Sequence, residues 1–239
     1  MTRADTEKVG NGLSGVKVCF DLDGTLVDTA PDLVRVTNEV IAGEGLGPTD
    51  YDAARRVVGL GSRKLITDAL ARGGIEVPEA KLDAMQAEFL DRYAAGLSVK
   101  SRPFSGVTET LSLLKTYGAR LSVCTTKPGW LARPLLDELE LSQWFDRVVG
   151  GDEAVHPKPR PGHIFQAAAS RDATTIVMIG DSRPDMEAAR RAKVFSVLMT
   201  YGYSMEPQIR LRADARLRDF RKIAPTLIDR YAEARGPRR

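Results

Sequence analysis

An α/β fold, built as a doubly wound parallel sheet carrying an inserted α-helical domain, is what the sequence predicts, and three observations predict it. Short runs rich in Val, Ile and Leu alternate with longer helical patterns. The alternation stops over one long stretch that reads as helices only. Acids and hydroxyls follow directly on the apolar runs, at the sheet edge where open α/β folds bind ligands.

The runs place five strands at residues 16–20, 119–125, 147–149, 175–179 and 194–199. Each is short and rich in Val, Ile or Leu, as strands covered on both faces should be. Strands that alternate with helices in this way join in parallel through right-handed crossovers.

The all-helical stretch begins at Pro31, which suits a first helical turn, and Leu33, Val36, Val40 and Ile41 behind it share one face. Leu82, Met85, Phe89 and Tyr93 make a second stripe within residues 79–95, and the two stripes are expected to pack together. Gly59 to Gly61 and the pair Gly73-Gly74 divide the stretch into about four helices. Arg102-Pro103 marks the return, because the residue before a proline is disfavoured in a helix. The expected domains are therefore a core of residues 1–30 and 103–239 and a helical insert of residues 31–102. Residues 1–15 and the Arg-rich tail at 235–239 are expected to be frayed and solvated.

Composition narrows the function class. The 239 residues are 43% apolar, enough for one substantial core with a smaller partner. Basic and acidic residues, 35 against 32, leave a net charge of only +3 with no basic block, so nucleic acid is not an indicated partner. Cys19 and Cys124 lie inside strand runs and outside any zinc-like cluster, so they read as buried free thiols of a reducing compartment. No apolar run approaches the ~20 residues of a membrane span, and the first residues hold no signal-peptide core. A cytoplasmic protein with no membrane partner, monomer or homodimer, is the expectation.

The chemistry is expected at the strand ends. Asp21-Leu22-Asp23-Gly24-Thr25 follows the first strand and puts two carboxylates side by side. Gathering acids costs electrostatic energy unless a cation or a shared proton compensates, so the pair suggests metal or acid/base work; a solvated turn is the plain alternative. Thr125 and Thr126 end the second strand, and Pro128 opens a helix whose free amides favour a phosphate. Asp181 and Asp185, four residues apart, follow the fourth strand and can face one site, although each by itself is equally a helix cap. Lys158 stands between Pro157 and Pro159, which restrict its backbone and limit the entropy lost in positioning its ammonium.

Asp21-x-Asp23-Gly24-Thr25, Thr125, Lys158 and Gly180-Asp181-Ser182-x-x-Asp185 together resemble the four signatures of the haloacid dehalogenase superfamily, in order and in spacing. Val149-Gly150-Gly151-Asp152 and Thr200-Tyr201-Gly202-Tyr203 extend the likeness to its phosphoglycolate phosphatase-like branch with a helical cap, over about residues 16 to 223. Two departures are Thr126 before Lys127-Pro128 and Pro184, both at positions where that branch often has Asn.

The resemblance implies a Mg²⁺-dependent phosphatase acting on a small phosphorylated metabolite through an aspartyl-phosphate. It implies Asp21 as nucleophile, Asp23 as acid and base, and Lys158, Thr125 and Thr126 on the phosphate. Mg²⁺ would be held by Asp21, Asp181 and the backbone carbonyl of Asp23, with Asp185 behind them. His156 and His163 are expected to be structural. In the insert, Arg63 or Lys64 is the candidate for a substrate carboxylate or second phosphate, against the plainer reading of solvated helix charge. Phosphoglycolate, other phosphomonoesters and pyrophosphate stay open as substrates. A sugar phosphomutase, a dehalogenase and a non-catalytic binding protein are the rival functions, although Asp23 speaks against the dehalogenase.

Overall fold

The structure is a computed structural model that describes residues 12–204 and 210–235. The expectations for residues 1–11 and 236–239 lie outside the described residues. Residues 12–15 are not frayed: Leu13 is fully buried and its N–H donates to the Tyr117 carbonyl at 2.8 Å.

The central sheet joins β1 (Lys17–Phe20), β4 (Arg120–Cys124), β5 (Arg147–Val149), β6 (Ile176–Gly180), β7 (Phe195–Met199) and β8 (Ala215–Leu217). All neighbours pair in parallel, in the order β5-β4-β1-β6-β7-β8. The five expected strands are all present, each within a residue or so of its expected limits. β8 was not expected: its three residues are only half-buried or exposed, and Arg216 in the middle breaks the apolar run.

Side-chain alternation along the strands explains the two helical layers. Val18, Phe20, Val177 and Ile179 face one core with α5 (Val107–Thr116), α6 (Gly129–Glu138) and α9 (Ile223–Arg235). Cys19, Ile176 and Met178 face the other core with α7 (Gly162–Ala168) and α8 (Arg183–Ala192). Phe20 is fully buried and packs on Phe220 and Phe145 at ring-centroid distances of 5.9 and 6.2 Å. Truncating such a side chain removes about 3–5 kcal/mol. Both cysteines are buried and free.

The helical insert leaves and re-enters the core through a short antiparallel pair, β2 (Val27–Asp28) with β3 (Arg102–Pro103). This ladder is too short to leave a period in the sequence. Between its strands lie α1 (Ala30–Ala42), α2 (Tyr51–Val57), α3 (Ser62–Arg72) and α4 (Glu79–Ala94), with a single 3₁₀ turn at Val58–Leu60. Both predicted stripes are buried, and α1, α3 and α4 pack on one another. Asp32 locks the two crossings together. Its Oδ2 accepts from Lys100 N, Ser101 N and Ser101 Oγ at 2.7–2.8 Å, and Arg35 pairs with Oδ1 at 3.0 Å.

Candidate active site

Strand order reverses between β1 and β6, and open α/β sheets bind ligands at that point, beyond the carboxyl ends. Asp21 follows β1 there and Asp181 follows β6. One oxygen from each of Asp21, Asp181 and Asp185 lies within 4.8 Å of the others, and all three residues are buried. Lys158, itself buried, sets its Nζ 2.6 Å from Asp185 Oδ1 and 3.1 Å from Asp21 Oδ1. One ammonium cannot offset three carboxylates. Burial, then Asp185 and Asp21, push the Asp181 carboxyl well above the usual range, and burial raises Asp21 against the pull of Lys158. Asp21 Oδ1 accepts no aligned hydrogen bond despite the nearby ammonium.

Each member of the group is fixed by its surroundings. Asp185 is a helix cap as well as a partner of Lys158: Oδ2 accepts from Ser182 N at 3.0 Å and from the Ser182 hydroxyl, closing a capping box on α8. Asp181 accepts from Thr25 Oγ1 at 2.9 Å and from Tyr203 N at 2.7 Å. Gly24 lets the chain pass: its φ is +83°, and a Cβ there would come 2.7 Å from Asp181 Oδ2. His163 holds the Lys158 backbone, accepting from Lys158 N through Nδ1 at 3.3 Å and donating through Nε2 to the Val149 carbonyl at 3.1 Å. Burial, and then the Lys158 ammonium, hold its ring down to about 4, so it is neutral near pH 7.

Above these groups lies a cavity of about 530 Å³ between the sheet rim and the helical insert. Asp21, Asp23, Asp181, Thr126 and Lys127 line it from the core, and Arg56, Arg63, Phe89 and Tyr93 from the insert. Thr125 is buried, and its hydroxyl oxygen accepts from Lys127 N at 3.1 Å.

Several contacts were not expected. The Asp23 carboxylate lies outside the acid group, its oxygens 3.2 and 3.3 Å from Lys127 Nζ, which donates to Tyr93 OH at 2.8 Å. The first amide of α6 does not wait for phosphate, because Gly129 N donates to Asp152 Oδ1 at 2.7 Å. Arg63 reaches the cavity but is held by Asp83 at 2.6 Å, by Gln86 at 3.2 Å and by Glu79. Lys64 is exposed and stands outside the cavity lining, one helical step away from Arg63.

The sequence reading missed Lys127 as a partner of Asp23. It also placed Tyr93 in a core stripe, where only its hydroxyl distinguishes it, and gave Thr25 and Tyr203 no contact with Asp181. An ammonium two residues beyond a strand-end threonine was the available signal for Lys127.

The donor set is all carboxylate oxygen, with no His or Cys in the group, and it includes a buried oxygen lacking an aligned donor. A hard divalent cation fits such a set. In comparison with known proteins, the haloacid dehalogenase-like hydrolase pattern matches residues 18–199. The chain belongs to that family. Phosphoglycolate phosphatases of Caulobacter vibrioides and Agrobacterium fabrum are each 41% identical to it. The first aligns over 94% of this chain and 96% of its own length, the second over 88% and 91%. A crystal structure of a predicted phosphoglycolate phosphatase from Haemophilus somnus superposes with a TM-score of 0.82 at 28% identity, covering 90% of this chain and 98% of that one. Within the haloacid dehalogenase-like hydrolases, the chain is an enzyme of the phosphoric monoester hydrolase class. Among the described residues, no helix is long and apolar enough to cross a membrane.

Proposed function

We propose that this haloacid dehalogenase-like hydrolase is a Mg²⁺-dependent phosphatase whose substrate is phosphoglycolate or a close phosphomonoester. The observation that carries the reading is the buried group of Asp21, Asp181 and Asp185 on Lys158, beside a cavity that also receives Asp23. The names and 41% identity of the Caulobacter and Agrobacterium relatives support the substrate. Asp21, Asp181 and the backbone carbonyl of Asp23 would hold Mg²⁺, which would supply charge to offset the repulsion between the carboxylate and the phosphate.

The chain's own groups do the rest. A carboxylate oxygen of Asp21 attacks phosphorus, and the bond from phosphorus to the ester oxygen breaks. Asp23 gives its proton to the departing alkoxide, then accepts one from the water that attacks the aspartyl-phosphate, freeing phosphate and restoring Asp21. Lys158 offsets charge on the transferring group and on Asp21. Asp185 holds Lys158 in place without taking part in proton transfer. Thr125 and Thr126 fix the phosphate end, and Lys127 steadies Asp23. The helical insert of residues 31–102 is the cap that excludes bulk water over the site.

A second reading, a larger phosphomonoester such as a sugar phosphate, is favoured by the cavity of about 530 Å³, which exceeds what a two-carbon ester fills. The test is phosphate release from a phosphomonoester panel that includes phosphoglycolate, with Mg²⁺ and with EDTA. Phosphoglycolate giving the highest kcat/KM, with activity lost in EDTA, supports the first reading. A sugar phosphate giving the highest value supports the second. Wild-type activity in Asp21→Asn would remove the assigned nucleophile.

A further inference from the structure

Tyr203 reaches both the acid group and the helical insert. Its N–H donates to Asp181 Oδ2 at 2.7 Å. Its side chain is buried, and the hydroxyl donates to Asp28 Oδ1 while accepting from Ala30 N at 3.0 Å. Asp28 ends the strand by which the chain leaves the core, and Ala30 opens α1. The guanidinium of Arg55, on α2, lies 4.8 Å from the centre of the Tyr203 ring and donates to the Tyr201 carbonyl at 3.0 Å. A single residue thus contacts an acid of the site, the exit strand and two helices of the insert.

Neighbouring contacts leave the arrangement little slack. Tyr201 OH donates to the Thr25 carbonyl at 2.6 Å, and the Thr25 hydroxyl donates to Asp181 Oδ1. A Cβ at Gly202 would come 2.2 Å from Asp181 Oδ2, and one at Gly24 would come 2.9 Å from the Tyr203 ring. Burial beside Asp28 raises the Tyr203 phenol well above its ordinary range, so the hydroxyl remains a donor. A shift of the insert would leave that buried donor and the Ala30 N–H without partners, which is the costly outcome for a hydrogen bond.

We propose that Tyr203 is a positioning residue that ties the setting of Asp181 to the seating of the helical insert, so that cation binding and insert seating strengthen each other. The proposal rests on the metal reading of the acid group given above. Coupling of this kind is reciprocal: whatever the seated insert gives to cation affinity, the cation returns to the seating.

Hydrogen exchange of the full-length protein, with and without Mg²⁺ as the only addition, tests it. Mg²⁺ is expected to slow exchange at residues 181–185 and also, at least about fivefold, at residues 27–33 and 51–57. In Tyr203→Phe, which removes only the hydroxyl, slowing at 181–185 is expected to persist while slowing at 27–33 vanishes. Asp28→Asn, which leaves Tyr203 in place, is expected to weaken the transmitted slowing and serves if Tyr203→Phe fails to fold. Slowing confined to 181–185 in the wild type would overturn the proposal. So would full Mg²⁺-dependent slowing at 27–33 in either variant, since a merely structural tyrosine raises exchange equally with and without the ion. No change anywhere on adding Mg²⁺ would overturn the metal reading of the site, and this inference with it.

Discussion

Lys158 and Arg63 are both cations held between carboxylates, one at the sheet rim and one in the helical insert. The Lys158 side chain is 1% exposed, and its partners Asp21 and Asp185 are 9% and 0% exposed. The Arg63 side chain is 36% exposed, and its partners Glu79 and Asp83 are 84% and 69% exposed. Solvent screens the second set and gives way around it, so those pairs contribute little and can be exchanged for a ligand. The first set has no water to relax into, so removing its one ammonium strands the carboxylates. The contrast teaches that charge at the rim is fixed by burial, whereas charge on the insert is adaptable.

Four measurements break or sharpen that contrast, and the largest effect is expected at the rim. Asp21→Asn should lower kcat on p-nitrophenyl phosphate with saturating Mg²⁺ by at least about a thousandfold. In EDTA the same variant should melt no lower than the wild type, because one of three mutually repelling acids is gone; a clear fall in Tm would contradict the electrostatic account.

Lys158→Ala should reduce unfolding free energy in urea by about 3–5 kcal/mol, the cost of leaving buried charge unpaired. A loss comparable to that of an exposed lysine would erase the distinction between the two regions.

His163 gives a pH test of the rim. Unfolded, the ring titrates near 6.5, and in the folded chain near 4, so between those values only the unfolded state takes up the proton. Its contribution is complete above pH 6.5 and falls away as pH drops toward 4, by at most about 3 kcal/mol. Urea unfolding of the wild type and of His163→Gln at pH 7.5 and pH 5 should differ by this slope, because the raised Asp21 and Asp181 carboxyls, which act in the opposite direction, are common to both.

The smallest effect is expected in the insert. Arg63→Ala should leave kcat/KM on p-nitrophenyl phosphate within about twofold of the wild type. A tenfold or greater rise in KM for phosphoglycolate alone would mean that Arg63 exchanges Glu79 and Asp83 for the substrate carboxylate.

Legibility in the sequence followed burial. The strands 16–20 and 175–179 were readable because both faces are covered and all but one position in each is apolar, whereas β8, with Arg216 exposed, left no such run. The helical stripes at Leu33 and Leu82 were readable for the same reason. Asp21, Lys158, Asp181 and Asp185 were readable as residue types at strand ends and beside prolines, and the structure brings these four together. The pairing of Lys127 with Asp23 was not, because the two are 104 residues apart and no local pattern joins them.

The chain by itself determined the α/β layering, the place of the helical insert and the acids at the strand ends, since periodicity and strand-end chemistry are local properties. Only the tertiary structure decided which charges meet. It gave Arg63 to Glu79 and Asp83, gave the first amide of α6 to Asp152, and set Tyr203 between Asp181 and Asp28. Those choices depend on distances between segments remote in sequence, and side-chain electrostatics is decided over a few ångströms of space.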